Sequence, residues 1–259
     1  MLLVVDIGNT QTVFGIYKGE GLLGHWRIAT DPSRTTDETG ILIKEMFAFS
    51  GIEIAKISGA IVGCVVPPML HTATRMCERY LKITPLVVEA GIKTGLPILY
   101  QNPREVGADR IVNAVAAWHQ EKRACIIVDL GTATTFDYVT PKGEYAGGVI
   151  TPGLQISLEA LFQRASKLPR VEIAQPQQVV GRNTVAAMQS GIYWGYGGLI
   201  DGIVHKIKDE TKTNPRVIAT GGLATLIAQA STTIEKVEPF LTLQGLKLLW
   251  EMNQEDEAE

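Results

Sequence analysis

Val128-Asp129-Leu130-Gly131-Thr132-Ala133-Thr134-Thr135-Phe136-Asp137 is the stretch that decides the fold. An apolar run, Ala124 to Val128, leads into Asp129; a glycine and hydroxyl residues follow, and the chain turns apolar again. The first residues repeat the pattern. Leu2 to Val5 lead into Asp6, then Ile7-Gly8-Asn9-Thr10-Gln11-Thr12, then Val13-Phe14-Gly15-Ile16. A strand that ends in Asp and passes through a glycine turn into a second strand is a hairpin. Its turn presents backbone N–H groups and hydroxyls that suit phosphate oxygens, and its Asp suits a cation or the water bound to one. One Asp-x-Gly turn is ordinary hairpin chemistry. Two copies, one near the start of each half, predict a pair of hairpins facing each other as a clamp for a polyphosphate. No Gly-x-x-x-x-Gly-Lys-Ser/Thr occurs in the chain, so the clamp is not a Walker loop.

The paired pattern resembles the phosphate-binding hairpins of the acetate and sugar kinase/Hsp70/actin superfamily. Length and composition fit such a protein: 259 residues suit one large or two small domains, and 46% hydrophobic with 20% charged residues is an ordinary globular balance. The net charge of −3 gives no reason to expect nucleic acid or an anionic membrane surface as partner. The four histidines are scattered, and the three cysteines (Cys64, Cys77, Cys125) show no metal-ligand spacing. So sparse and odd a set argues against a disulfide framework and fits a reducing cytosol. Met1 runs directly into Leu-Leu-Val-Val with no basic stretch before it, so neither a signal peptide nor a membrane span is expected, and the expected compartment is the cytoplasm.

Working outward, residues 2–6, 11–18 and 21–30 read as three antiparallel strands. Thr36 or Asp37 would cap a helix over about 38–50. Ile57 to Val66 reads as a buried strand, 68–81 as a helix opened by Pro67-Pro68, and Leu86-Val87-Val88 as another strand. Gly107-Ala108-Asp109-Arg110 opens a helix with Ile111, Val115 and Trp118 at helical spacing. The second half repeats the order: strands over 124–129, 133–139 and 144–150, helices at about 153–163 and 182–209 flanking a polar loop, a short strand at 217–219 ending in Thr220-Gly221-Gly222, a following helix, and a last helix over 240–252. The charged residues 255–259 read as a frayed tail. The expected architecture is therefore α/β: duplicated ribonuclease-H-like (actin-like ATPase) domains, each with a mixed five-stranded sheet flanked by helices. Domains are expected at 1–118 and 119–259, with the last helix packing back on the first.

Further motifs narrow the family. Tyr100-Gln101-Asn102-Pro103 precedes Glu105-Val106-Gly107-Ala108-Asp109-Arg110; Gly147-Gly148-Val149-Ile150-x-Pro152-Gly153, Gly181-Arg182-Asn183-Thr184 and Thr220-Gly221-Gly222 follow. With Asp6-x-Gly-Asn-Thr at the start, this ordered set resembles type III pantothenate kinases over essentially the whole chain, with no departure at the motif positions. The resemblance implies transfer of a phosphoryl group from ATP to pantothenate, giving 4'-phosphopantothenate, the first step of coenzyme A synthesis.

It also implies roles. Residues Asp6, Ile7, Gly8, Asn9, Thr10, Gln11, Thr12 and Val13, with Thr132, Gly221 and Gly222, would bind ATP, and Asp6 would hold Mg²⁺ directly or through water. Asp109 would be the general base. From spacing alone it is equally a helix-start carboxylate balancing the dipole or pairing with Arg110. Tyr100, Gly107, Ala108, Asp109, Arg110 and Thr184 would line the pantothenate pocket, and Asp129 would bind the K⁺ or NH₄⁺ that the family requires. Gly191, Gly195, Gly198 and Gly202 share one face of the 182–209 helix. Each costs about 1 kcal/mol against Ala there, which is reasonable if another backbone approaches closely. That contact is either within the subunit or, as the family's dimers imply, between two copies, with Thr184 completing the partner's pocket. Two other readings of the same cleft are a different small-molecule kinase of the superfamily and a non-enzymatic ATP-dependent switch or regulatory factor.

Overall fold

The computed structural model describes residues 1–254, which form two compact units. The first comprises Met1–Leu96, Gln101–Ala116 and the chain from Thr242 on; the second comprises Pro97–Tyr100 and Ala117–Leu241. The tail expected to fray, 255–259, lies outside the described residues.

In the first unit, β1 (Leu2–Ile7), β2 (Gln11–Lys18) and β3 (Gly21–Ala29) form a meander, followed by α1 (Thr36–Phe49), β4 (Gly59–Cys64), α2 (Pro67–Met76) and β5 (Leu86–Val87). The strands lie in the order β3-β2-β1-β4-β5, with β1 antiparallel to β2 and parallel to β4. After α3 (Ala108–Glu121) the second unit runs through β6 (Cys125–Leu130), β7 (Ala133–Val139), β8 (Tyr145–Pro152), α4 (Leu154–Arg164), α5 (Thr184–Thr211), β9 (Arg216–Thr220), α6 (Ala224–Ile227) and β10 (Lys236–Val237). Its sheet, read as β8-β7-β6-β9-β10, repeats the first, with β6 antiparallel to β7 and parallel to β9. The last helix, α7 (Leu241–Gln254), belongs from Thr242 on to the first unit. Two mixed five-stranded sheets with the same strand order are the duplicated ribonuclease-H-like architecture expected from the paired hairpins.

The centre of each sheet explains its composition. Leu3, Val4 and Val5 of β1 and Cys125 to Val128 of β6 are fully buried, as befits central strands with neither face solvated. In the first unit Leu3, Val5 and Ile7 pack with Ile43 and Phe47 of α1 and Met69 and Met76 of α2. On the other face, a Cβ at Gly15 would lie 3.1 Å from Leu243, at Gly63 3.1 Å from Leu246, and at Gly59 2.7 Å from Trp250. Small residues on the sheet let the large side chains of α7 come close. In the second unit Ile126, Val128 and Leu130 pack with Tyr193, Tyr196, Ile200 and Val204 of α5. No described helix is long and apolar enough to cross a membrane.

Several expected boundaries shift for local reasons. Helix α1 is capped by Thr35, not by Thr36 or Asp37: its hydroxyl accepts from the Glu38 N–H while the Glu38 carboxylate accepts from the Thr35 N–H, a reciprocal pair. The helix expected over 68–81 ends as α-helix at Met76 and continues as one wider π turn, Cys77–Leu81, closed by Lys82 in the left-handed region (φ 61°). The strand expected over 57–66 shortens to Gly59–Cys64 because Ile54–Lys56 take a 3-10 turn. After Gly222 only the short α6 forms, and β10 is an edge strand that two residues, Lys236 and Val237, are too few to announce.

Asp201 of α5 ties down the connection to β10. Its carboxylate accepts from the hydroxyls of Ser231 (2.6 Å), Thr232 (2.6 Å) and Thr233 (2.8 Å) and from the Thr232 N–H (2.9 Å). Burial alone would raise this carboxyl; the hydroxyl and N–H donors outweigh it and hold the pKa at about 2. A carboxyl lowered on folding stabilises above its unfolded value, about 4, and loses that contribution as pH falls through the folded value. Asp201→Asn is therefore expected to cost about 1–2 kcal/mol at pH 7, discounted for partial solvation. Urea denaturation at several pH values should show the gap between the two proteins closing between about pH 4 and pH 2.

Candidate functional site

The turn between β1 and β2 is closed by the Gly8 N–H donating to Gln11 O (3.0 Å), which leaves Asn9 and Thr10 exposed at its tip. Thr30, just beyond β3, braces the turn from behind: its N–H donates to Thr10 O (3.0 Å) and its hydroxyl to Gly8 O (2.7 Å). Ile7 and Thr12 are buried, so their side chains support the turn, whereas Gly8, Asn9 and Thr10 present backbone at the surface. Asp6 pairs with Val13 in β2 and with Gly63 in β4, on the sheet face opposite the α1–α2 core. The Cys64 thiol beside it is pushed up by burial, with the negative charge of Asp6 adding to the effect.

Asp109 reaches the same end of this sheet. The Val65 N–H donates to Ile7 O (3.0 Å), and a Cβ on Gly107 would lie 3.7 Å from Val65. Gly107 starts α3, with its carbonyl accepting from the N–H groups of Arg110 (3.1 Å) and Ile111 (3.3 Å). The Asp109 carboxylate folds back over the glycine, since a Cβ there would be 2.6 Å from Oδ1, and that oxygen accepts the Arg110 N–H at 2.8 Å. Burial pushes the Asp109 carboxyl up; the N–H and guanidinium of Arg110 oppose the shift without cancelling it. Both readings of Asp109 thus meet in one side chain. It is a helix-start carboxylate, and it is also desolvated enough to be a stronger proton acceptor than a surface Asp. Arg110 is itself buried.

In the second unit three chain segments converge. The Gly131 N–H donates to Ala133 O (3.1 Å), and the Gly153 N–H donates to Thr132 O (3.1 Å), joining the β6–β7 turn to the start of α4. A Cβ on Gly153 would collide with Thr132 O, and one on Gly221 would lie 2.7 Å from both Asp129 Oδ1 and Leu130 O. Gly221 also has φ +95°, a conformation glycine adopts freely. Backbone, Asp129, Thr132 and Gly221 are thereby packed at the ends of β6 and β9. Next to Asp129 the row continues inward: Thr135 pairs with Asp129 across the hairpin, and buried Asp137 accepts from the Tyr145 hydroxyl (2.7 Å). Tyr100 belongs to this unit, its ring 6.4 Å from that of Tyr145 and against Gly147. The residue pattern gave Asp137 and Tyr145 no role, because their pairing needs the β7–β8 register.

Thr184 opens α5, where Asn183 caps the helix by accepting from the Ala186 N–H (2.8 Å). It lines a groove of about 580 Å³ with Leu161, Leu168, Arg182, Met188 and Ile192. The glycines at 191, 195, 198 and 202 are exposed, and a Cβ on any of them would meet nothing within 4 Å. Packing among the described residues therefore does not account for the stripe. The glycine that does pack internally is Gly197, against Ala230.

Among the described residues no group of three or more His, Cys, Asp and Glu could hold a metal on its own. Asp6 fits the alternative for Mg²⁺, which is commonly bound by one or two carboxylates together with substrate phosphates and water. At the second hairpin, Asp129 Oδ1 and Leu130 O both lie close to Gly221, and carboxylate and carbonyl oxygens are donors of the type that suits hard cations.

A family model described as type III pantothenate kinase matches residues 2–206. The type III pantothenate kinase of Geobacter sulfurreducens is 60% identical over 255 residues, covering 98% of this chain and 100% of that relative. The one from Pelobacter propionicus is 59% identical over 253 residues, covering 98% and 100%. Among solved structures, the activator of the 2-hydroxyisocaproyl-CoA dehydratase from Clostridium difficile, with bound ADPNP, aligns with a TM-score of 0.56 at 12% identity, covering 100% of this chain and 97% of that one. At that identity the likeness is one of fold.

The convergence around Gly221 is testable without any ligand. Gly221→Ala forces a methyl onto Asp129 and Leu130 and strains a positive φ, and should cost about 1–3 kcal/mol. Gly131→Ala, whose Cβ would sit at an ordinary 3.6 Å from its neighbours, should cost less than about 1 kcal/mol. Chemical denaturation of the two variants side by side measures the difference.

Proposed function

The chain belongs to the type III pantothenate kinase family and is a pantothenate kinase, a phosphotransferase with an alcohol acceptor, and from this premise we propose how its residues divide the work. The segment Asp6, Ile7, Gly8, Asn9, Thr10, Gln11, Thr12, Val13 in the first unit binds ATP through its turn, with the buried side chains of Ile7 and Thr12 supporting that turn from behind, and Thr132, Gly221 and Gly222 bind it in the second. Gly107, Ala108 and Arg110 bind pantothenate with Tyr100, and the Arg110 guanidinium offers a planar fork to its oxygens. Asp109 accepts the proton of the primary hydroxyl as that oxygen attacks the γ-phosphorus and ADP departs. The observation that carries this assignment is the desolvated Asp109 carboxylate, folded over Gly107 at the same end of the sheet as Asp6. An Asp remains a modest base even so, and positioning with charge neutralisation supplies most of the rate. Asp6 would hold Mg²⁺ and Asp129 K⁺ or NH₄⁺; these cations neutralise phosphate charge when bound.

The exposed glycine stripe supports a homodimer. A face without side chains lets a second copy's backbone approach, and Thr184 at the start of the same helix would then enter the partner's pantothenate pocket.

Measurements of chemistry and of assembly test the reading. ADP release from ATP should depend on added pantothenate, and Asp109→Asn should cut turnover by at least about 10²-fold while ATP still binds. Because Asp109 must be ionised to act and its pKa is raised, kcat/KM for pantothenate should fall on acidification at a pH above the ordinary aspartate value of about 4. Turnover within tenfold of the unmodified enzyme, or an acid limb at the ordinary value, removes Asp109 from the role. For assembly, Gly195→Leu meets open space in the monomer and should leave the fold as stable or more so, since Leu is the better helix former. Light scattering should nonetheless report monomers, with the pantothenate KM raised more than that for ATP.

A further inference from the structure

Thr30 lies outside the Asp-x-Gly pattern, yet it holds the β1–β2 turn at three points. Its N–H donates to Thr10 O (3.0 Å), its hydroxyl donates to Gly8 O (2.7 Å), and its oxygen lies 2.9 Å from that of Thr12. A hydroxyl has a single proton. Thr30 gives its own to Gly8 O, so in the pair of hydroxyls Thr12 is the donor and Thr30 the acceptor. The Thr12 side chain, 2% exposed, thus spends its proton behind the turn.

The order of these bonds sets the direction of a peptide plane. Among the described residues no peptide is cis, and a trans peptide carries C=O and N–H on opposite sides. Drawing Gly8 O toward Thr30 turns the Asn9 N–H away from Thr30, at the exposed tip of the turn. Without this tie the peptide could rotate and offer a carbonyl oxygen where an anion needs a donor. We propose that Thr30 is a positioning residue for ATP, fixing the turn so that its N–H side faces the phosphates, and that the Thr12 hydroxyl serves Thr30 rather than the nucleotide. The proposal rests on the reading of this turn as a phosphate cradle.

The test uses the full chain with Thr30→Val, Thr30→Ser and Thr12→Val. Val keeps the shape and removes the hydroxyl; Ser restores it. Losing two net hydrogen bonds corresponds to about a thirtyfold change, so Thr30→Val should raise the ATP KM by about ten- to thirtyfold and leave the pantothenate KM within about twofold. Thr30→Ser should return to within about twofold of the unmodified enzyme, and Thr12→Val, which keeps the bond to Gly8 O, should have the smaller effect. A purely structural role would lower the melting temperature and move both KM values together. A folded Thr30→Val with unchanged ATP KM overturns the proposal, as does a Thr12→Val effect larger than that of Thr30→Val. If Thr30→Val does not fold, Thr30→Ala carries the same expectation. Calorimetric titration with Mg-ATP separates the two levels. If the unmodified chain binds no ATP, the phosphate-cradle reading fails; if it binds ATP and Thr30→Val binds equally well, only the role of Thr30 fails.

Discussion

Strands β1 and β6 each hydrogen-bond antiparallel to a hairpin partner on one side and parallel to a crossover strand on the other. Such a strand has no free edge and no solvated face, so its interior positions admit only apolar side chains. Charge can enter only where the strand ends. Asp6 and Asp129 occupy those ends, each in its own sheet, paired with Gly63 of β4 and Thr220 of β9. In open sheets with parallel strands, ligands are likewise bound outside the carboxyl ends. The Asp is therefore both the limit of the core and the first polar group of the site.

How much of this can be read from the residues varies with the range of the interaction. The hairpins were legible because each packs its signal, apolar run, Asp, Gly and Thr, into about a dozen consecutive residues. The Thr35–Glu38 cap was equally local and could have been preferred over Thr36, since Glu lies three residues on. The brace from Thr30 to Gly8 was not legible, because it spans 22 residues and depends on where β3 ends. Nor was Tyr145 with Asp137, or the grouping of Tyr100 with the second unit. The glycine stripe shows a third case: its periodicity defines a face, but only the fold reveals that the face is open rather than packed.

Asp109 shows how one residue satisfies a structural rule and a chemical one together. A carboxylate in the first turn of a helix is favoured by the helix dipole and by the exposed N–H groups. Those same donors would make it a poorer base, and burial reverses that effect. Gly107 makes the compromise possible, because any side chain there would displace the carboxylate from its N–H donor.

The first unit is not contiguous in sequence, and α7, made last among the described elements, supplies part of its packing. Leu243, Leu246 and Trp250 approach the sheet at Gly15, Gly63 and Gly59, and the Lys247 ammonium bonds Glu20 (2.9 Å) in the β2–β3 turn. During synthesis the N-terminal sheet therefore emerges from the ribosome with one face bare and stays so while more than a hundred further residues are added. Translation cannot mature this molecule half by half; the nascent first unit has to wait, with apolar strands exposed, for a helix that follows the whole second sheet in the sequence. Its window of vulnerability to aggregation is set by elongation time rather than by its own folding rate.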